Sequence, residues 1–227
     1  MAELNKSILG KVKGSIGELT FRQRNGKNII SVKPSSFVPG TDAASIDRRK
    51  RFKLSVKLAK EINHIPYVKA YWNNSLPAGL TIFNLIFKTN YKYISPNDIT
   101  GPPMVFPVYG FNISNPNAVF NASSIDISFD AIGNAGNIDT NVETDTKLLN
   151  IIFLSEPDNS SFAENYLFSA ESESKPLQLT DSNSFTVNIP EEDLQFYTNY
   201  QTKKIFSVLL TYDSSSNLVH FSSTFES

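Results

Sequence analysis

An Asn-Gly pair, Asn25-Gly26, lies between two β-prone runs at residues 20–24 and 27–32, and it constrains the fold more than any other feature of the chain. A type I′ turn needs positive φ at both central residues, which Asn and Gly adopt most readily, so the pattern predicts a β-hairpin. Gly14 and Gly17 precede it and mark places where the backbone bends or closely approaches another group.

The hairpin region carries too few apolar residues to form a core of its own, and an isolated hairpin is marginally stable in water. We therefore expect it to lie against the rest of the chain or against a partner, and we interpret it as a docking arm. The residues assigned to this arm are Gly14, Gly17, Phe21, Asn25, Gly26, Ile29 and Ile30.

Length and composition set further limits. The chain has 227 residues and no cysteine, which suits one or two domains and excludes disulfides and thiolate metal sites. No apolar run approaches the roughly 20 residues of a membrane span, and the N-terminus lacks the apolar stretch of a signal peptide. We expect a soluble protein made in a bacterial cytoplasm, with no membrane partner.

Charge divides the chain into two halves. Residues 1–94 hold 17 Lys and Arg against 5 Asp and Glu, a formal charge of +12, whereas residues 95–227 hold 4 against 17, a charge of −13. Such asymmetry indicates either that the halves face different partners or that they attract each other, within one subunit or between neighbours.

Three segments are predicted: an arm and connector at 1–40, a basic helical segment at 41–95 and an acidic β-sandwich at 96–227. Residues 43–63 contain no Gly or Pro and follow the potential caps Thr41 and Asp42. With shorter helical patterns at 67–72 and 80–94, this predicts two or three helices.

The remaining sequence is typical of β-structure. Apolar residues alternate with polar ones at 125–129 and 185–189, and continuous apolar runs at 148–154 and 205–212 suit central strands. With further strands at 104–111, 166–169 and 218–225, about seven strands are predicted, which is typical of an immunoglobulin-like (Ig-like) sandwich. The predicted class is α+β: a β-hairpin arm, two or three short helices, and an all-β Ig-like sandwich expected to fold alone.

The first 75 residues resemble a family of bacterial and phage-encoded proteins that open with a Gly-Lys-x-x-Gly-x-x-Gly arm, a hairpin and a Lys-Pro, followed by a helix carrying Arg and Phe and by a β-rich region. The resemblance implies a virion or assembly-type protein and assigns no catalytic site. The matching residues are Gly10, Lys11, Gly14, Gly17, Asn25, Gly26, Lys27, Lys33, Pro34, Arg48 or Arg49, and Phe52.

A basic run opens the first predicted helix and continues along it. Such a face could bind nucleic-acid phosphates, with an affinity that falls as salt rises. It could equally be a solvated helix face or pair with an acidic neighbouring surface, and no nucleic-acid-reading motif accompanies it. The residues of this basic face are Arg48, Arg49, Arg51, Lys53 and Lys57.

Other candidate sites have simpler interpretations. The oxygen-rich stretch 126–145 lacks the EF-hand spacing of glycine and glutamate, so we interpret it as a loop region and not as a calcium site. His64 and His220 are the two histidines, and we expect His220 to point outward from its strand. With no His-Cys pair and no Walker-type loop, no enzyme activity, metal or cofactor is predicted.

The aromatic residues Tyr67, Tyr71, Trp72, Tyr91 and Tyr93 cluster around the predicted helices. They could anchor an interface, but we expect them to seal the helices against the sandwich.

These observations predict a non-enzymatic structural protein of a phage virion, located in capsid decoration, neck or tail. Its expected partners are other virion proteins and further copies of itself. Two alternatives stay open: a nucleic-acid-binding protein using the basic helix, and a surface- or carbohydrate-binding module using the sandwich loops.

Overall fold

The computed structural model describes residues 2–4, 13–24, 26–33, 36, 38–133 and 137–227. The chain forms two compact units, Met1–Ile46 and Asp47–Ser227. It belongs to the α+β class, with helices and antiparallel sheets that make it mostly β, as predicted. No helix in the described ranges is long and apolar enough to cross a membrane.

The first unit contains a four-stranded antiparallel sheet. Its strands are β1 (Ala2–Leu4), β2 (Gly14–Ile16), β3 (Leu19–Arg24) and β4 (Lys27–Val32), in the spatial order β1-β4-β3-β2. The predicted hairpin is β3–β4, closed by the pair Arg24 and Lys27. Gly26 has φ 76°, as the turn requires, whereas Asn25 lies outside the described residues.

A second tight turn precedes this hairpin. Ile16 at the end of β2 pairs directly with Leu19 at the start of β3, so the connection is the two residues Gly17 and Glu18. Gly17 has φ 56°, a left-handed conformation that a side chain at Cβ would strain. The sequence pattern indicated a bend at Gly17, but not that it joins a third strand to the sheet.

Three helices follow, as predicted. They are α1 (Ala43–His64), α2 (Pro66–Asn74) and α3 (Ile82–Asn90), after which Tyr91–Tyr93 forms a 3-10 turn. Of the two predicted caps, Asp42 acts: its Oδ1 accepts from the backbone N–H of Ser45 at 2.9 Å. Pro66 occupies the first turn of α2, where its missing N–H costs nothing.

The second unit also holds two antiparallel sheets. Its strands are β5 (Asn117–Phe120), β6 (Ser124–Phe129), β7 (Glu143–Pro157), β8 (Asn165–Glu171), β9 (Lys175–Pro176), β10 (Asn183–Asn188), β11 (Tyr200–Asp213), β12 (Leu218–Phe221) and β13 (Phe225–Glu226), and α4 (Glu191–Thr198) precedes β11. One sheet has the order β10-β6-β5. The other has the order β12-β11-β7-β8, with β9 and β13 added at its margins.

The long strands β7 and β11 are buried on both faces, which explains their continuous apolar runs. One face, with Leu149, Ile151 and Phe153, packs in a core shared with the helices α1–α3. Alternate residues such as Leu148 and Ile152 pack instead in a second core with β6 and β10. The unit therefore has three layers: helices, the larger sheet and the smaller sheet.

One local prediction is wrong, and one element was not predicted. Residues 104–111 form no strand, because Pro102, Pro103 and Pro107 supply no N–H donors. The side-chain amide of Asn90 instead pairs with the backbone of Met104: its oxygen accepts from the Met104 N–H at 2.7 Å, and its NH₂ group donates to the Met104 carbonyl at 3.0 Å. The helix α4 was missed, although Pro190 followed by three acidic residues is a helix-start signal.

The predicted boundary at residue 95 does not coincide with the division between the two units. That division falls between Ile46 and Asp47, and the helices of 47–95 share their core with β7 and β11.

Candidate docking surfaces

The four-stranded sheet presents an exposed apolar row. Ile16, Leu19 and Val32 are direct cross-strand partners on β2, β3 and β4, so their side chains lie side by side on one face of the sheet. Their exposed fractions are 70%, 40% and 69%. In the next row Phe21 pairs with Ile30, and both are half-buried.

The opposite face of this sheet is polar. Ser15, Thr20 and Ser31 are cross-strand partners there, and the exposed Arg22 lies beside the half-buried Ile29. The sheet is therefore amphipathic. The predicted arm residues divide accordingly: Phe21 and Ile30 flank the apolar row, Ile29 lies on the polar face, and the glycines form the turns and the edge.

The edge strand β2 adds a second feature to this surface. It pairs with β3 on one side, and it is the last strand of the sheet among the described residues. Gly14 has φ 128°, and a Cβ there would meet no atom of the described residues within 4 Å. A strand edge of this kind can pair with an added strand from another chain.

The predicted basic face on α1 does not point in one direction. The Arg51 guanidinium donates to the Tyr91 carbonyl at 2.9 Å and lies 4.1 Å from the centre of the Tyr91 ring. The Lys57 ammonium donates to the backbone and side-chain oxygens of Asn165, at 2.5 and 2.7 Å. Burial, together with nearby Lys53, lowers the pKa of Lys57.

Arg48, Arg49 and Lys53, the other members of the basic face, are exposed. Two of the five predicted cations thus fix α1 to neighbouring parts of its own unit. The helix α1 therefore does not present all five cations as one continuous phosphate-binding surface.

The described carboxylates of the oxygen-rich stretch 126–145 all have hydrogen-bond partners within the protein. Asp126 accepts from Asn121 and Thr186 at 2.8 and 2.7 Å, and these hydrogen bonds lower the pKa of its carboxyl. Asp130 accepts from Asn115 at 2.6 Å. Asn134 lies outside the described residues, and within those that are described no group of His, Asp or Glu could hold a metal ion.

A buried polar cluster that the sequence did not reveal lies between β7, β11 and β12. Glu143 is 1% exposed, and its carboxylate accepts from the Thr211 hydroxyl and, at 3.0 Å, from the backbone N–H of Asp139. His220 Nδ1 lies 3.0 Å from the same carboxylate. The His220 side chain is 45% exposed, in keeping with the expected outward position, and its contact with the buried Glu143 carboxylate is what the sequence did not indicate.

The clustered aromatic residues mainly attach the helices to the larger sheet, as expected. Trp72 is buried, and its Nε1–H donates to the Val105 carbonyl at 2.7 Å. Tyr71 packs edge-on against Phe221, and the Tyr67 hydroxyl donates to Glu171 at 2.8 Å. Burial, followed by the charge of Glu171, raises the pKa of Tyr67 well above its usual range.

Comparison with known proteins gives no family. No protein-family model matches the chain, and no curated protein matches it. Among solved structures it is similar to DesR, a β-glucosidase from Streptomyces venezuelae in complex with D-glucose, with 17% identity and a TM-score of 0.25 over 55% of this chain and 16% of that one.

A DUF3823 family protein from Parabacteroides merdae is also similar, with 11% identity and a TM-score of 0.25 over 51% of each chain. This chain thus spans about a sixth and about half of the lengths of these two proteins. At such TM-scores neither likeness carries an inference about function.

Proposed function

We propose that this protein is a non-enzymatic assembly protein of a phage virion that docks on neighbouring subunits through the exposed apolar row Ile16, Leu19 and Val32. The exposed row on one face of the four-stranded sheet carries the docking role, since Ile16, Leu19 and Val32 are apolar yet open to solvent. The virion context comes from the resemblance of the first 75 residues to phage-encoded proteins.

The size of the row sets the strength of a single contact. Complete burial of an aliphatic side chain contributes about 1.5–3 kcal/mol, so covering the exposed parts of these three side chains contributes about 4 kcal/mol. A micromolar complex needs about 8 kcal/mol. The row alone therefore supports only weak association.

Weak individual contacts suit a particle in which many copies bind together, because linked contacts convert later binding steps into intramolecular ones. Strand addition at the β2 edge would supply backbone hydrogen bonds beyond the apolar contact. The partners we propose are other virion proteins and further copies of this chain.

We further propose that β5–β12 form an Ig-like module. An immunoglobulin sandwich places its first, second and fifth strands in one sheet and its third, sixth and seventh in the other. With the two-residue β9 set aside, β5, β6 and β10 share one sheet here, and β7, β11 and β12 share the other. The fourth strand, β8, pairs with β7, which is a departure from the constant-domain pattern.

The test places charge in the apolar row. The double variant Ile16→Glu, Val32→Glu should fold normally, since both side chains are mostly exposed, and it should be lost from purified particles when measured by quantitative mass spectrometry. Two glutamates would have to be desolvated at the interface, which opposes docking. Val119→Glu is the matched control, because Val119 is also an exposed valine on a strand, at 52%, but lies in the second unit.

Incorporation of the double variant at the wild-type copy number would contradict docking through this row. Equal loss of the Val119→Glu control would mean that surface charge in general, and not this face, impairs assembly. Absence of the wild-type protein from particles would contradict the virion role itself.

A further inference from the structure

A cleft of about 590 Å³ opens at one end of the larger sheet in the second unit. It lies where the loop after β7, the start of β11 and the residues after the 3-10 turn meet the first part of α1. Its volume is within the range of small-molecule sites in proteins. All of its described lining residues belong to the second unit.

Two ion pairs line this cleft. Lys50 lies 2.7 Å from Glu164, and Lys204 lies 2.8 Å from Asp98. All four side chains are partly exposed, at 32% and 56% for the first pair and 27% and 41% for the second. Lys204 also donates to the Ile99 carbonyl at 3.1 Å, so its ammonium is held in place before any ligand arrives.

Each pair presents a donor and an acceptor side by side at a fixed spacing. A vicinal diol is complementary to that arrangement: one hydroxyl accepts from the ammonium, while its neighbour donates to the carboxylate. Hydroxyl groups do both without carrying charge. A simple anion would be repelled by the carboxylates, and a simple cation would be repelled by the ammonium groups.

Phe162 supplies an apolar wall to the same cleft. Its ring is half-buried and fixed by edge contacts with Phe196 and Tyr200, at centroid distances of 6.0 and 6.1 Å. A rigid aromatic ring beside paired polar groups gives a surface for the C–H face of a sugar ring.

Glu156, also in the lining, has φ 59°, an unusual conformation for a residue with a long side chain. Its carboxylate accepts from the Thr202 hydroxyl at 2.5 Å. Backbone strain that the surroundings hold in place is concentrated at binding sites. Glu156 adds a third carboxylate to the lining of the cleft.

We propose that this cleft binds a neutral saccharide, with the Lys50–Glu164 and Lys204–Asp98 pairs each receiving adjacent hydroxyl groups and Phe162 contacting the ring. Binding of one sugar unit should be weak, as expected for an open site with a few hydrogen bonds. The site gives the protein a glycan-binding activity separate from assembly.

The experiment titrates the full-length protein with free glucose, galactose, mannose, rhamnose and N-acetylglucosamine, following backbone amide shifts by NMR. At least one sugar should give saturable shifts confined to residues 95–99, 155–164 and 202–204. Lys204→Gln should weaken that binding about tenfold or more, since a charge-assisted hydrogen bond is lost, and Phe162→Leu should weaken it several-fold. Lys147→Gln is the matched control, because Lys147 forms an ion pair with Glu171 outside the cleft at similar exposure, and it should bind as the wild type does.

The proposal is overturned if no sugar in the panel gives saturable shifts up to its solubility limit. It is also overturned if Lys204→Gln and Phe162→Leu, confirmed as folded by their thermal transitions, bind as tightly as wild type. Saturable shifts in the same residues with inorganic phosphate but with no sugar would assign an anion site instead.

Discussion

Removing the Thr211 hydroxyl should destabilise the second unit, because it leaves a buried charge with one fewer donor. Thr211 is fully buried, and its hydroxyl donates to the carboxylate of Glu143, itself 1% exposed. The variant Thr211→Val keeps the shape of the side chain and deletes this donor, together with the oxygen that accepts from the backbone N–H of His220 at 3.1 Å. A hydrogen bond to a charged group contributes about 1.5–3 kcal/mol, so we expect the free energy of unfolding to fall by about 2 kcal/mol.

The assay is urea unfolding followed by the fluorescence of Trp72, the single tryptophan, which is buried in the core beneath the helices. With an m-value of about 2 kcal/mol/M, the midpoint should fall by about 1 M at unchanged slope. Thr211→Ser is the matched control: it keeps the hydroxyl, loses a methyl group and should cost about 1 kcal/mol.

A double-mutant cycle tests the pairing itself. Glu143→Gln replaces the carboxylate by an amide, whose NH₂ group would face hydrogen-bond donors. The loss of unfolding free energy in the double variant should be smaller than the sum of the losses in Glu143→Gln and Thr211→Val, because the two residues share one interaction. A midpoint for Thr211→Val at or above that of Thr211→Ser would refute the reasoning, as would full additivity in the cycle.

Three further outcomes are expected. Burial raises the pKa of Tyr197 to about 12, against about 10 in an unfolded chain. The stabilising contribution of Tyr197 is therefore complete below pH 10 and falls by up to about 2–3 kcal/mol as the pH rises to 12. Urea midpoints of the wild type and of Tyr197→Phe, measured at pH 9 and 11.5, would check this. Ser207→Ala should cost about 1–3 kcal/mol in the same assay, because the buried Ser207 hydroxyl donates to Asn150 Oδ1 at 2.7 Å and its loss leaves that acceptor unpaired; an unchanged midpoint would contradict this. Residues 96–227 expressed alone should show no cooperative thermal transition by circular dichroism, whereas 47–227 should show one, since the helices cover one face of β7 and β11; a cooperative transition in the shorter fragment would show that the two sheets suffice.

Local signals in the sequence were sufficient for the local elements. The Asn25-Gly26 pair predicted the β3–β4 hairpin, and the Gly- and Pro-free run before His64 predicted α1. The continuous apolar runs of β7 and β11 indicated central strands. They did not indicate that helices cover one side, because a side chain buried under a helix and one buried under a sheet look alike in a sequence.

The features that were missed depend on distant partners. His220 and Glu143 are 77 residues apart, and nothing local marks either as the other's partner. The cleft ion pair of Lys204 and Asp98 spans 106 residues. The basic face was predicted as one surface for the same reason: nothing in the sequence near Lys57 indicates that its ammonium binds Asn165.

The burial of β7 and β11 between two layers has a consequence for synthesis on the ribosome. Lys57 of α1 binds Asn165, 108 residues later, so α1 leaves the ribosome long before the sheet it covers exists. At about 5–20 residues per second, that interval is about 5–20 s. Throughout it, the side chains of Leu54, Leu58 and Ile62 have no sheet to cover them. Nascent α1 should therefore be a chaperone-binding segment, and its apolar face a place where slowed translation promotes aggregation.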